Sequence, residues 1–339
     1  MTEHFTPDAQ PIDPDQLHFS THSFSGLRPG PKLMVTGAVH GNEVCGPIAI
    51  NRVLDDIAAG RLRIAAGTVT FVPTVNPLAY AKRMRVGDRN LNRNLFPTEQ
   101  PAEFEDHIAN WLCPLLSAHD VLLDCHSTHA NNPAFAMIGP RNNSGALQPF
   151  VFEAAERAMA KILGVNRFVD GWLDTYATGT VRRAARLAAG GVGGADARKA
   201  QLNTDARYGV GTTEYTRSVG GYAITLECGS HNDPQSPEVA YRAIRNTLAH
   251  LGISTDPAPQ PVQTYEYLSM VDVIDRLDAS DTFSRAWGSF DHFKQGELIA
   301  TRATGEEVRA PFDGRILFPD ANALPGNEWF YVTRQQVAL

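Results

Sequence analysis

Residues 32–43 read KLMVTGAVHGNE, an apolar run of strand length followed by an imidazole and a carboxylate three positions apart. Residues 47–54, PIAINRVL, carry apolar side chains at helical spacing. A buried strand that leads directly into a helix is the repeating unit of an α/β fold. The stretch also places His40 and Glu43 just beyond the strand, at the edge where open α/β sheets bind their ligands.

The same alternation of strand and helix continues along the chain. Three more strands are predicted at 68–73, 120–125 and 222–226. Three more helices are predicted at 102–117, 150–163 and 236–251. The strands are continuous apolar runs, which is typical of a sheet that helices cover on both faces. These patterns predict the fold class α/β.

Residues 254–261, STDPAPQP, are typical of a linker, because their prolines interrupt regular structure. Short apolar runs separated by turns follow, and they predict a small all-β domain at 262–339. Prolines also interrupt a lead-in at 1–30, which leaves 31–253 as the main domain. The sequence does not decide whether the Ala- and Gly-rich segment 187–206 forms a lid or a mobile loop.

Charge and composition exclude several classes of function. The chain has 30 Lys and Arg against 37 Asp and Glu, so it has no positive excess to neutralise nucleic-acid phosphates. It has neither a run of about 18 apolar residues to cross a membrane nor the pattern of a secretory signal. Its four cysteines show no CxxC spacing, which argues against a cysteine zinc site and indicates a reducing compartment. We expect a cytoplasmic protein without nucleic-acid or membrane partners; homo-oligomer formation stays open.

His40 and Glu43 are one half of a candidate metal site, because side chains at i and i+3 of a helical turn can face one ion. A catalytic zinc site needs three protein ligands and an open position. The best third ligand is His126, directly after the strand at 120–125. His129 competes with it, and the alternative role for His126 is that of a hydrogen-bonded core histidine.

Glu227 directly follows the predicted strand at 222–226. A carboxylate there is either a buried, paired structural group or a general base with a raised pKa. Metal-activated water needs a nearby carboxylate to take its proton and pass it to the leaving amine. The residues alone leave the two roles open.

Four motifs occur together in a fixed order: HGNE at 40–43, NLNRNLFP at 90–97, DCH at 124–126, and TRS at 216–218 leading to LECG at 226–229. In this order they resemble the succinylglutamate desuccinylase/aspartoacylase family, whose members are related to the zinc carboxypeptidases. The resemblance covers roughly residues 30–250 by motif order. It implies a carboxypeptidase-like mixed sheet with helices on both faces, followed by a small C-terminal all-β domain.

The resemblance also implies a metal site and a catalytic group. One zinc ion per chain would be bound by His40, Glu43 and His126. Glu227 would be the catalytic base and acid.

By the same resemblance, polar side chains would hold the substrate. Asn92 and Arg93 would bind its α-carboxylate, because a guanidinium suits bidentate recognition of a carboxylate. Arg85 would stabilise the tetrahedral oxyanion. Arg217 would contact a polar or acidic end of the substrate.

Asn90 departs from the family pattern, since many relatives have aspartate at this position. The carboxylate that would orient His40 is thus replaced by a neutral amide. Asp88 and Asp124 are the candidates to take its place.

The function that follows is hydrolysis of the amide bond of a small N-acyl amino acid or related carboxylate by a metal-activated water. One alternative is a zinc carboxypeptidase acting on a peptide C-terminus, which needs an open groove. An esterase with the same water and a non-catalytic binding protein of the same fold are further alternatives. The acyl group and the amino acid stay open.

Overall fold

The computed structural model describes residues 13, 17–130, 132–190 and 203–337. Part of the lead-in at 1–30 and most of the lid-or-loop segment at 187–206 lie outside these residues. Within the described part of the chain, no helix combines the length and the apolar composition that crossing a membrane requires.

Within the described residues, regular structure runs from residue 22 to residue 335. The described α-helices are α1 (Cys45–Ala58), α2 (Pro77–Lys82), α3 (Phe104–Ser117), α4 (Glu153–Ala160), α5 (Trp172–Ala188), α6 (Thr212–Ser218) and α7 (Ser236–His250), with a 3₁₀ helix at Ala206–Gly209. The described β-strands are β1 (His22–Ser25), β2 (Arg28–Gly37), β3 (Ala66–Val72), β4 (Val121–Thr128), β5 (Phe135–Met137), β6 (Arg167–Asp170), β7 (Tyr222–Ser230), β8 (Glu266–Asp275), β9 (Thr282–Phe283), β10 (His292–Phe293), β11 (Leu298–Thr301), β12 (Glu307–Arg309), β13 (Gly314–Leu317) and β14 (Glu328–Gln335).

The main sheet has eleven strands in the order β1-β3-β2-β4-β7-β5-β6-β8-β14-β13-β10. Its centre, β3-β2-β4-β7, is parallel, whereas β5 runs antiparallel to β7. A second sheet of three strands, β12-β11-β9, lies in the C-terminal region. The predicted fold class, a mixed α/β sheet with a strand-rich C-terminal region, is confirmed.

Apolar side chains on both faces of the sheet explain the continuous apolar strands. In β2, Leu33 and Val35 pack into a core with residues of α1 and α7, whereas Met34 faces a second core with residues of α3. Each face of a strand that is covered on both sides needs apolar residues, so strict alternation is lost. The helices on both faces are therefore confirmed.

Each predicted strand and helix of residues 32–251 overlaps an observed element. The sequence pattern missed α5, in which Gly179 and three threonines weaken the helical signal. It also missed β5 and β6, which have three and four residues and are too short to form a recognisable apolar run.

The main sheet continues into the C-terminal region. Residues 255–265 form no helix or strand, but β8 pairs in parallel with β6 and in antiparallel with β14. Backbone hydrogen bonds thus join the strands on either side of the Pro-rich segment. A division into separate domains at 254–261 stays a prediction.

The carboxyl ends of β2, β4 and β7 lie side by side and carry the chemically active residues. His126 of β4 lies opposite Glu227 of β7. After β2, the turn at 38–44 leads into α1, and within it the N–H of Glu43 donates to the carbonyl oxygen of His40 at 3.2 Å. The topology therefore brings residues that are distant in sequence to one edge of the sheet.

Gly41 allows this turn to approach α2 closely. A Cβ atom at position 41 would lie 1.9 Å from the carbonyl carbon of Ala79, so a side chain cannot fit there. Glycine is the residue that permits such close contact between two backbones. The glycine of the HGNE motif thus has a steric role.

Candidate metal centre

The side chains of His40, Glu43 and His126 converge at the carboxyl end of the central strands. Nδ1 of His40 lies 2.8 Å from Oε1 of Glu43, and Nδ1 of His126 lies 2.8 Å from Oε2 of the same carboxylate. The three side chains are buried, and their ligand atoms lie within 4.8 Å of one another. Two imidazole nitrogens and a carboxylate oxygen form a donor set that suits zinc.

Each histidine is oriented by a hydrogen bond from its other nitrogen. Nε2 of His40 donates to Oδ1 of Asn90 at 3.1 Å, and Nε2 of His126 donates to Oδ2 of Asp124 at 2.9 Å. Because Nε2 of each ring makes this hydrogen bond, Nδ1 is the nitrogen that faces Glu43. A metal-binding histidine has the same arrangement, with one nitrogen free for the metal and the other held by a hydrogen bond.

The amide oxygen of Asn90 thus accepts the hydrogen bond from His40 that a carboxylate would accept in the family pattern. Asp124 orients the other histidine. Asp88 accepts instead from the backbone N–H of Phe104 at 3.0 Å. Asn90 itself is therefore the residue that orients His40.

Asp124 is fixed at the base of the site. The hydroxyls of Thr36 and Thr212 donate to its two oxygens at 2.6 and 2.5 Å. Burial raises the pKa of Asp124, but nearby His126 and these hydrogen bonds outweigh burial and hold the pKa below its usual value. Asp124 is therefore an anion that holds one imidazole in a single orientation.

The three candidate ligands differ in how their surroundings shift their pKa values. Burial, together with the positive charge of Arg85, lowers the pKa of His40 to about 4. Burial also acts against charge on His126 and Glu43, but attraction prevails: Asp124 and Glu43 attract His126, whereas His40 and His126 attract Glu43. It raises the pKa of His126 and lowers that of Glu43. A metal ion at this site would displace the proton of His126.

Glu227 lies beside the ligands, and one of its two oxygens is unpaired within the part of the chain that the structure describes. It is buried, and its Oε2 atom has no hydrogen-bond partner among the described residues. Burial, and then the charge of Glu43, raises the pKa of Glu227 to about 8. No ion pair in the described part of the chain supports the structural alternative for this carboxylate.

A cavity of about 230 Å³ opens onto the ligands. Besides the metal-site residues and Glu227, its wall includes Arg85, Asn92, Arg93, Arg217 and residues of α5, α6 and β5. Phe318, Asp320, Glu328 and Tyr331 form a C-terminal wall. The structure therefore brings every predicted site residue to one cavity.

Arg93 presents a guanidinium group to this cavity. Its central carbon lies 4.6 Å from the ring centre of Trp172, and its Nη1 donates to the carbonyl oxygen of Asn92 at 2.8 Å. Trp172 is itself fixed, since its Nε1 donates to the carbonyl oxygen of Gly209 at 2.9 Å. Arg93 belongs to none of the ion pairs among the residues described, so donors remain for an anionic ligand.

Arg85 and Arg217 have very different surroundings. Arg85 is half exposed, and its Nη1 donates to Oε1 of Glu43 at 3.2 Å. Arg217 is buried, with Nε at 3.0 Å from Oε2 of Glu156 and Nη1 at 3.3 Å from Oε1 of Glu214. The charge of Arg217 is therefore already balanced inside the protein.

Several cavity residues were not predicted. Trp172 lies in α5, which the sequence pattern missed, and the C-terminal wall carried no motif. His129, the competing ligand, lies in the cavity wall but is exposed and outside the cluster of three ligand atoms. His231 is not in the cavity wall but contacts Ser127, which is. It follows the LECG motif by two residues, and this proximity was the one signal that could have identified it.

Solved structures with a similar fold support this architecture. A succinylglutamate desuccinylase/aspartoacylase from Rhodobacter sphaeroides has a TM-score of 0.67 at 18% identity, over 95% of this chain and 90% of its own. The product-bound ectoine utilization protein EutE (DoeB) from Ruegeria pomeroyi has 0.64 at 21%, over 92% and 88%. A succinylglutamate desuccinylase from Vibrio cholerae has 0.66 at 16%, over 90% and 82%.

At the level of sequence, no curated protein matches the chain significantly. A family model described as the succinylglutamate desuccinylase/aspartoacylase catalytic domain matches residues 29–251. This span includes the candidate ligands, Glu227 and the three arginines of the cavity. The chain belongs to the succinylglutamate desuccinylase/aspartoacylase family of deacylases.

Proposed function

We propose that this chain is a zinc-dependent hydrolase that cleaves the amide bond of a small N-acyl amino acid. The observation that carries the proposal is the convergence of His40, Glu43 and His126 beside the unpartnered Glu227. Family membership supports the reaction class, since the family is named for deacylases.

The three converging side chains would hold one zinc ion through Nδ1 of each imidazole and the Glu43 carboxylate. When bound, zinc supplies a Lewis acid that polarises the scissile carbonyl and acidifies the attacking water. Asn90 and Asp124 keep the imidazoles in the orientation that this requires.

Glu227 would move the proton. Its Oε2 atom has no partner among the described residues, so in its carboxylate form Glu227 is free to take a proton from the attacking water and deliver it to the nitrogen of the leaving amine. The C–N bond breaks as that nitrogen is protonated, and the amine leaves as a neutral group.

The arginines of the cavity would provide charge complementarity. Arg85, next to Glu43, is placed to stabilise the negative charge that develops on the carbonyl oxygen. Arg93 and Asn92 would bind the α-carboxylate, with the guanidinium plane of Arg93 held against Trp172. Such a fixed planar donor pair suits a carboxylate better than a flexible ammonium group does.

The C-terminal wall supports a small substrate over a peptide. Phe318, Asp320, Glu328 and Tyr331 line the cavity together with the motif residues. A volume of about 230 Å³ is below the usual range for drug-sized ligands, about 300–1,000 Å³. A carboxypeptidase needs an open groove for the rest of its peptide, so this alternative is less well supported.

Screening N-acetyl, N-succinyl and N-formyl amino acids against short peptides, together with metal analysis, tests the proposal. We expect one zinc per chain and release of amino acid from one class of acyl compound. Removal of the metal with a chelator should abolish turnover, and zinc should restore it. A chain that binds no metal, or one that cleaves only peptides, would contradict the proposal.

The ion pairs of Arg217 predict a preference among substrates. Glu156 and Glu214 already balance the charge of Arg217. Arg93 is therefore the cavity arginine that remains available to bind a free carboxylate. We expect N-acyl amino acids with a neutral side chain to have a higher kcat/KM than their acidic counterparts. A comparison of N-acetylglutamine with N-acetylglutamate measures this; a clear preference for the acidic compound would instead assign Arg217 to substrate binding.

Arg93→Lys is expected to raise KM about tenfold for a carboxylate substrate and to change kcat less. The substitution keeps the charge but removes the second N–H donor and the stacking on Trp172. Steady-state kinetics measures both constants. Arg83→Lys, a substitution of an exposed arginine outside the cavity wall, is the matched control. An unchanged KM in Arg93→Lys would exclude Arg93 from carboxylate binding.

A further inference from the structure

His231 connects the two chain segments that carry the candidate metal ligands. Its Nδ1 lies 2.8 Å from the hydroxyl oxygen of Ser127, and its Nε2 lies 3.4 Å from the side-chain nitrogen of Asn42. Asn42 lies inside the turn that contributes two ligands, and Ser127 directly follows the third. One imidazole thus bridges segments that are separated by more than eighty residues of sequence.

Asn42 has an unsatisfied atom at this bridge. Its Oδ1 is buried and has no hydrogen-bond partner within the described ranges. The N–H at Nδ2 of the same amide donates to the lone pair of Nε2 of His231 at 3.4 Å.

This assignment fixes the direction of the remaining hydrogen bond. A neutral imidazole has one donor and one acceptor nitrogen, and burial lowers the pKa of His231, which favours the neutral form. With Nε2 as the acceptor, the proton lies on Nδ1, which donates to the hydroxyl oxygen of Ser127 at 2.8 Å. The chain of donors therefore runs from Asn42 through His231 to Ser127.

Ser127 extends the connection to a ligand. Its backbone N–H donates to Oε2 of Glu43 at 3.1 Å, so Ser127 binds His231 with its side chain and Glu43 with its backbone. The backbone N–H of His231 donates to the carbonyl oxygen of Thr128 at 2.8 Å. This backbone bond places the imidazole and is preserved when only the side chain is replaced.

We propose that His231 is a positioning residue that fixes the ligand turn at 40–43 against the end of β4 and thereby increases the affinity for zinc. The proposal rests on the zinc site of the proposed function. It assigns no catalytic step to His231, which acts through Asn42 and Ser127.

The test is the zinc affinity of His231→Leu, measured by competition with a chromophoric chelator. Leucine removes both side-chain hydrogen bonds, and we expect the dissociation constant to rise about tenfold, the lower end of the range for residues that support metal ligands. His231→Asn retains a donor near the position of Nδ1, and His231→Gln retains an acceptor near that of Nε2. Both should lie between His231→Leu and the wild type, and they provide the same measurement if the leucine variant does not fold.

His119→Leu is the matched control. His119 is also half-buried and also makes two side-chain contacts, with the carbonyl oxygen of Leu115 at 2.7 Å and with Oγ1 of Thr70 at 2.9 Å. It lies before β4, at the end of the strand away from the metal site. The His119→Leu substitution should lower the thermal stability of the metal-free protein without changing the affinity of the protein for zinc.

The outcomes separate this proposal from the proposed function. If the wild type binds no zinc, the metal site itself is wrong. If the wild type binds zinc and His231→Leu binds it equally well, the positioning role is wrong. An equal loss of affinity in His231→Leu and His119→Leu would also overturn it, because the effect would then be a general loss of stability.

Discussion

Glu227→Gln is expected to lower kcat about a thousandfold, within the range of about 10²–10⁴ that general acid–base catalysis contributes. Glutamine keeps the shape of the side chain but cannot take a proton from the attacking water. Glu227 is not part of the cluster formed by the three candidate ligands, so the bound zinc should stay at the wild-type level. Steady-state kinetics and metal analysis of the same preparation measure the two quantities.

Asp320→Asn is the matched control for Glu227→Gln. It makes the same change of carboxylate to amide in the wall of the same cavity, but on the C-terminal side. We expect its kcat to be close to that of the wild type. A Glu227→Gln variant with near-normal kcat would remove the assignment of the base, and a variant that loses its zinc would assign Glu227 to metal binding instead.

The sequence predicted the candidate ligands because a simple topological rule places them. His40, His126 and Glu227 each lie at or just beyond the end of an apolar strand, and the carboxyl ends of neighbouring parallel strands meet at one edge. The spacing of His40 and Glu43 within one turn then fixes the second ligand. For these residues, a pattern of local elements is sufficient to predict a three-dimensional cluster.

Arg217 shows what such reasoning does not predict. Its partner Glu156 lies in α4, 61 residues away along the chain, and nothing in the local pattern indicates that the two side chains meet. The same limit applies to Trp172, which orients Arg93 from a helix with a weak pattern. Pairings between side chains depend on how helices pack onto the sheet, and strand periodicity does not specify this.

Asn90 shows a second limit, which is chemical. A substitution of aspartate by asparagine removes a charge but keeps a carbonyl oxygen at the same position, and that oxygen accepts from Nε2 of His40 at 3.1 Å. A comparison of residue types alone suggests that the group that orients His40 is lost. The geometry indicates that the orienting hydrogen bond is kept, and that only its electrostatic contribution is reduced.

His126→Ala is expected to abolish stoichiometric zinc binding, because two protein ligands remain where a catalytic site uses three. It should also destabilise the metal-free protein. His126 is held between Asp124 and Glu43 at 2.9 and 2.8 Å, and its removal leaves the buried Asp124 anion without its cation. Breaking a buried ion pair in this way costs about 3–5 kcal/mol. We expect the lower end, since Thr36 and Thr212 continue to donate to Asp124.

His129→Ala is the variant that makes this result specific. It removes the other histidine that the sequence offered as a ligand, three residues further along and exposed in the cavity wall. Equilibrium unfolding in denaturant and metal analysis of both variants should separate them: His126→Ala loses zinc and stability, whereas His129→Ala keeps both. Zinc loss in His129→Ala with retention in His126→Ala would exchange the two assignments. Asp124 would then be a structural anion paired with a core histidine, because its hydrogen bond to His126 would serve no metal ligand.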